Sequence, residues 1–134
     1  MQRIGLFPLV GDLLHAGHIW ALQEAKTQCD YLIVCLICIP DTKQPVESVY
    51  ERYTRLKCNK YVDEIIPYQG EADLEKIILS TDYHVRFLGE DYKNKIHTGY
   101  SYEIDRDIDC YYISRKHDLS STKLKDRITN FLQS

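Results

Sequence analysis

Apolar residues fall along this chain in two alternating rhythms. Short, nearly unbroken runs occur at Arg3–Leu9, Tyr31–Ile39, Glu64–Pro67, Val85–Leu88 and Cys110–Ser114. Between them lie segments whose apolar residues recur every three or four positions. Gly17–Gln28 carries Ile19, Leu22 and Ala25, a stripe that continues to Cys29. Ser48–Cys58 carries Val49, Tyr53 and Leu56 inward and leaves Arg52 and Arg55 outward. Glu71–Ser80 carries Leu74, Ile77 and Ile78, and Ser121–Gln133 carries Leu124, Ile128, Phe131 and Leu132. The runs predict strands covered on both faces, and the stripes predict amphipathic helices. Gly11-Asp12, Pro40-Asp41, Gly70 and Gly89 punctuate the joins. Residues 94–107 read as a loop with a short helix. Strand and helix alternate throughout, which predicts the α/β class: five parallel strands with helices on both faces.

Open parallel sheets bind ligands beyond the carboxyl ends of their strands. The rule gathers scattered polar residues at one edge. His15-Ala16-Gly17-His18 follows the first strand, Lys43 the second, Gly89-Glu90-Asp91 the fourth and Arg115 the fifth. Two imidazoles three residues apart in a first helical turn share a face. They admit three readings: surface histidines, a metal pair, or an anion site. No third ligand stands nearby in sequence, which weakens the metal reading. Gly17 lets a ligand approach the backbone, and the helix start offers amides and a positive dipole end, which suits phosphate. Ser120-Ser121-Thr122-Lys123 opens the last helix with three hydroxyls and a lysine. By itself this is an ordinary cap, with Ser120 or Ser121 as N-cap. At the same edge as the histidines it reads as a second phosphate cradle.

Composition narrows the class. The length of 134 residues suits a single domain, residues 1–134. A net charge of −3 gives no basic field for nucleic acid or an acidic membrane. The first residues lead into a strand without a signal peptide, and the longest apolar run, Tyr31–Ile39, falls short of the ~20 residues of a membrane span. Five cysteines are an odd number. They are read as small apolar packing residues in a reducing compartment, which places the protein in the cytoplasm. Cys35 and Cys38 lie within a strand-like run, where positions three apart face opposite sides, so they form neither a chelate nor a simple disulfide. The eleven tyrosines suit a cleft or subunit contact without singling any one out.

The ordered motifs resemble the HxGH nucleotidyltransferases, and within them the small cytidylyltransferases of the glycerol-3-phosphate type. The matching residues are 12–18 (Asp12 to His18), 30–34 on the second strand, Glu51-Arg52, 60–67 from Lys60 to Pro67, Gly89-Glu90-Asp91, Arg115 and 120–125. The resemblance spans nearly the whole chain. It implies a Rossmann-like three-layer α/β/α domain, a homodimer, and transfer of CMP from CTP to a small phosphorylated alcohol with release of pyrophosphate. By the same resemblance His15 and His18 contact the triphosphate at the α-phosphate. Lys43 reaches over from its loop, and Arg115 neutralises phosphate charge. Ser120, Ser121 and Thr122 hold the β and γ phosphates. Val10, Gly11, Asp12, Gly17, Gly89 and Asp91 frame the nucleotide, and Arg52 and Lys60 support the site near the dimer contact. Mg²⁺ is expected on the nucleotide phosphates and water, without dedicated protein ligands.

The chain departs from that pattern in places. Leu9-Val10-Gly11-Asp12 stands where these enzymes read Gly-Thr-Phe-Asp, so Val10 replaces a phosphate-facing hydroxyl. Lys60 replaces an arginine and loses its bidentate fork. Lys116-His117-Asp118 replaces Thr-Glu-Gly, and the Asp41–Glu51 connection is short, with one lysine. That connection borders the acceptor, so phosphoethanolamine or a sugar phosphate are alternative acceptors. Trp20 is placed to line the pocket or to pack. Two further readings stand beside the cytidylyltransferase: an adenylyltransferase of the coenzyme-synthesis type, and a nucleotide-binding module that has lost turnover.

Overall fold

A computed structural model describes residues 1–41, 43–114 and 119–133. Five strands, β1 (Ile4–Leu9), β2 (Tyr31–Ile37), β3 (Glu64–Tyr68), β4 (Val85–Gly89) and β5 (Asp109–Ile113), form one sheet. Every pairing is parallel, and the order is β3-β2-β1-β4-β5. The helices are α1 (Ala16–Lys26), α2 (Val49–Lys57), α3 (Glu71–Ser80), α4 (Tyr100–Asp105) and α5 (Ser121–Gln133). The expected loop with a short helix resolves into a 3₁₀ turn at Glu90–Tyr92 and α4.

β2 shows why the sheet is covered twice. Leu32, Val34 and Leu36 enter one core with Leu22 and Ala25 of α1 and Leu56 of α2. Ile33, Cys35 and Ile37 enter the other with Leu74 and Ile78 of α3. A strand with period two therefore feeds both layers and has no polar face to give to water. β1 and β4 approach closely beside Gly5. A Cβ there would stand 2.4 Å from Phe87 Cε2 and 3.0 Å from Cys29 Sγ.

The structure corrects three expectations. Arg52 is not outward: it is 1% exposed, while Val49, expected inward, is exposed. The apolar stripe of α5 is not covered within the chain, and the helix has no buried residue. Cys29 and Cys35 pack as expected, but Cys58 and Cys110 are exposed. All five thiols are free.

Candidate active site

Strand order turns back between β1 and β4, and a crevice opens where the connections leave in opposite directions. A cleft of about 380 Å³ lies there. Its lining includes Val10 and Gly11 after β1, His15, Gly17 and His18 at α1, Gly89, Glu90 and Asp91 after β4, and Ser120 and Ser121 at α5. Residues more than a hundred positions apart thus share one wall.

The histidine pair caps its own helix. His15 is the N-cap of α1, and its Nδ1 accepts the Gly17 amide at 3.0 Å. The His15 amide donates to His18 Nδ1 at 3.1 Å. The two form a capping box in which imidazoles replace the usual hydroxyl and carboxyl. With both Nδ1 atoms accepting backbone amides, the hydrogen-bond pattern assigns each neutral ring its proton on Nε2. The ring centroids are 3.9 Å apart. Two Nε2–H donors on stacked rings are therefore oriented together by the backbone.

The turn before them is held in a left-handed path. Gly11 has φ +68° and Leu13 φ +57°. At Leu13 this conformation costs roughly 1–2 kcal/mol. Two carboxylates hold it. Glu47 Oε1 accepts the Leu13 amide at 2.7 Å, and its Oε2 accepts Arg55 Nε at 2.8 Å. Asp12 accepts the amides of Val46 and Glu47, each at 3.0 Å, and lies 3.3 Å from Lys125 Nζ. Burial works to raise the Asp12 carboxyl, but those two amides and Lys125 outweigh it and hold the group below its ordinary value. Arg52 stands beneath the turn. Its guanidinium donates to the carbonyls of Ile37 (2.7 Å), Val10 and Cys38 (3.0 Å each) and Glu47 (3.4 Å).

The opposite wall is the start of α5. Ser120 Oγ accepts the Lys123 amide at 3.1 Å, which makes Ser120 the N-cap. Ser121 Oγ donates to the Asp12 carbonyl at 2.9 Å and ties this wall to the histidine turn. Lys43 Nζ donates to Thr122 Oγ1 at 3.2 Å, so the loop after β2 reaches α5 as expected.

The expected residues divide accordingly. His15, His18, Val10, Gly11, Gly17, Gly89, Asp91, Ser120 and Ser121 line the cleft. Asp12 and Arg52 do not; they are buried behind it and fix its turn. Lys43 and Thr122 meet at its edge rather than in its lining. Lys60 is not brought there: it precedes β3, at the amino-terminal edge of the sheet, with Nζ 5.2 Å from the Tyr61 ring. Trp20 is 48% exposed and outside the lining. Arg115 and the neighbouring Lys116-His117-Asp118 lie outside the described residues. Sequence reasoning missed Ser114, which lines the cleft and is held by Glu24 of α1 through bonds of 2.8 and 3.1 Å. It also missed Glu47. Both pairings bridge distant segments and leave no local pattern.

The profile of the cytidylyltransferase-like family matches residues 10–127. The chain belongs to that family. It is an enzyme of the nucleotidyltransferase kind. Glycerol-3-phosphate cytidylyltransferase of Bacillus subtilis is 31% identical over 121 residues, covering 87% of this chain and 90% of that protein. An FAD synthase of Thermococcus sibiricus is 33% identical over 61% of this chain and 59% of its own length. Among solved structures, a lipopolysaccharide core biosynthesis protein of Thermoplasma volcanium superposes with a TM-score of 0.68 at 25% identity, over 87% of this chain and all of that one. The family match spans every cleft segment from Val10 to Ser121.

Proposed function

We propose that this enzyme transfers CMP from CTP to a small phosphorylated alcohol and releases pyrophosphate. One observation carries the reading. Two backbone-oriented imidazoles face, across one cleft, a helix start bearing Ser120 and Ser121. A phosphate monoester has a second pKa near ~6, so its attacking oxygen is already largely anionic at neutral pH. No general base is needed. The acceptor oxygen bonds to the α-phosphorus, the bridge from α to β breaks, and pyrophosphate leaves with the electron pair. The barrier is the approach of two anions, so catalysis rests on positioning and on donors aimed at developing charge.

In this reading the Nε2–H groups of His15 and His18 donate to oxygens at the α-phosphate. The amides and hydroxyls at the start of α5 take the β and γ phosphates, with Lys43 and Arg115 supplying positive charge. Among the described residues no group of three or more His, Cys, Asp or Glu side chains is placed to hold a metal ion. A Mg²⁺ ion would accordingly be held by triphosphate oxygens and water, where it neutralises their charge. The pairing of two copies belongs to the same proposal. Sedimentation velocity checks it, and a monomer at micromolar concentration removes it.

The decisive assay mixes purified protein, Mg²⁺, a nucleoside triphosphate and a panel of phosphorylated alcohols, and reads pyrophosphate. Release with CTP and at least one acceptor is expected. Release with ATP alone supports the adenylyltransferase reading, which the FAD synthase relative favours. CTP binding without any release supports a module without turnover.

A further inference from the structure

A second cavity, about 480 Å³, opens on the opposite face of the sheet from the histidine cleft. Both share Pro8, Leu9, Val10 and Gly89, so they meet over the ends of β1 and β4. Asp41 and Glu71 stand in its wall together with Tyr68 and Tyr92, and Arg86 and His97 line it as well. Arg86 is 2% exposed and His97 8%. One carboxylate joins them. Glu103 Oε2 accepts Arg86 Nη1 at 3.0 Å, and Glu103 Oε1 lies 2.6 Å from His97 Nε2. Tyr83 OH donates to the same carboxylate at 2.5 Å. Arg86 Nη1 also donates to the Thr98 carbonyl, and the Thr98 hydroxyl donates to Glu71. Two buried polar atoms in this cluster have no hydrogen-bond partner among the described residues: Arg86 Nε and His97 Nδ1.

Such atoms are costly to bury and are commonly completed by a ligand or water. Their chemistry restricts what completes them. Arg86 Nε–H donates only, so its partner must accept. An ammonium has no lone pair and fails. An anionic group would accept, but it would face the carboxylates of Glu103, Asp41 and Glu71. A hydroxyl fits, since it accepts from Arg86 and can donate or accept at His97 and the rim acids. The geometry points to a specificity site: Arg86 and His97 read hydroxyl groups of the acceptor, which makes that acceptor a polyhydroxylated phosphate, a sugar or alditol phosphate, in preference to an amino-alcohol phosphate. The phosphate end lies at the histidine cleft and the polyol end in the second cavity. This inference rests on the cytidylyltransferase reading and narrows its substrate.

The test uses two variants that keep the Glu103 contacts. His97→Gln retains a donor toward Glu103 and removes Nδ1, and Arg86→Lys retains the cation and removes Nε. Pyrophosphate release with CTP is measured for alditol and sugar phosphates and for phosphoethanolamine and phosphocholine. The wild type is expected to favour a polyol phosphate at least tenfold in kcat/KM. Each variant is expected to raise the KM of that acceptor about tenfold, the effect of losing one hydrogen bond, with the KM of CTP unchanged. Equal or better use of the amino-alcohol phosphates, or variants that leave the acceptor KM unmoved, overturns the inference while the transferase reading stands. If no acceptor gives turnover, that reading fails separately, and calorimetric titration of the same compounds decides. Polyol phosphate binding that weakens in both variants sustains the site, and absence of such binding overturns it.

Discussion

At the level of single residues, the histidines hold two roles at once. Each uses Nδ1 to cap α1 and leaves Nε2–H as the ring donor. His15→Ala is therefore expected to cost about 1 kcal/mol of stability as a lost cap. Its turnover should fall much further, by about 10²–10³, as for loss of an oriented donor to transition-state charge. Urea unfolding and the rate of pyrophosphate release separate the two, and near-normal turnover removes the assigned role. Asp12 carries a pH signature. Its carboxyl is held below its ordinary value, so its contribution to stability is present above that value and is lost as pH falls through the folded one. Unfolding midpoints between about pH 5 and pH 2 should fall more steeply for the wild type than for Asp12→Asn. The sequence made the histidine pair visible because its spacing is local. It did not show which ring atoms the backbone would occupy, since that depends on α1 beginning at Ala16 with His15 as its cap.

Among the elements, the turn after β1 and the start of α2 behave as one unit. Asp12 and Glu47 each bind amides of the other's segment, and Arg52 gathers carbonyls from four residues beneath them. Helical periodicity put Arg52 on the outer face because an arginine is normally solvated there. A cluster of strand-end carbonyls with no other donor reverses that preference, and a guanidinium has enough N–H groups to serve them. Arg52→Ala should destabilise by about 3 kcal/mol or more by leaving buried carbonyls unpaired. Lysine should not restore the loss, since it lacks the planar fork. Urea midpoints of the two variants check this. The strands, α3 and α5 were legible to within a residue or two because their patterns are long and periodic. The loop from 90 to 107 was not, because Glu103, Tyr83 and Arg86 organise it from separate elements.

Across the whole molecule, burial sorts the cysteines in a way composition could not. Cys35 is fully buried, and burial pushes its thiol up to about 12, while Cys58 and Cys110 are exposed. Maleimide labelling followed by mass spectrometry should modify Cys58 and Cys110 in the native protein, and Cys29 and Cys35 only after unfolding. Labelling of Cys35 in the folded state would contradict the double-layered core. The five-stranded order and its turning point between β1 and β4 followed from alternation alone. That two cavities would flank the turning point did not, because cavities depend on side-chain volume rather than period. Their placement on opposite faces bears on kinetics. Each substrate has its own entrance and neither must pass the other to reach β1. Addition in either order follows, with initial-rate plots that intersect and product inhibition without an obligatory first substrate.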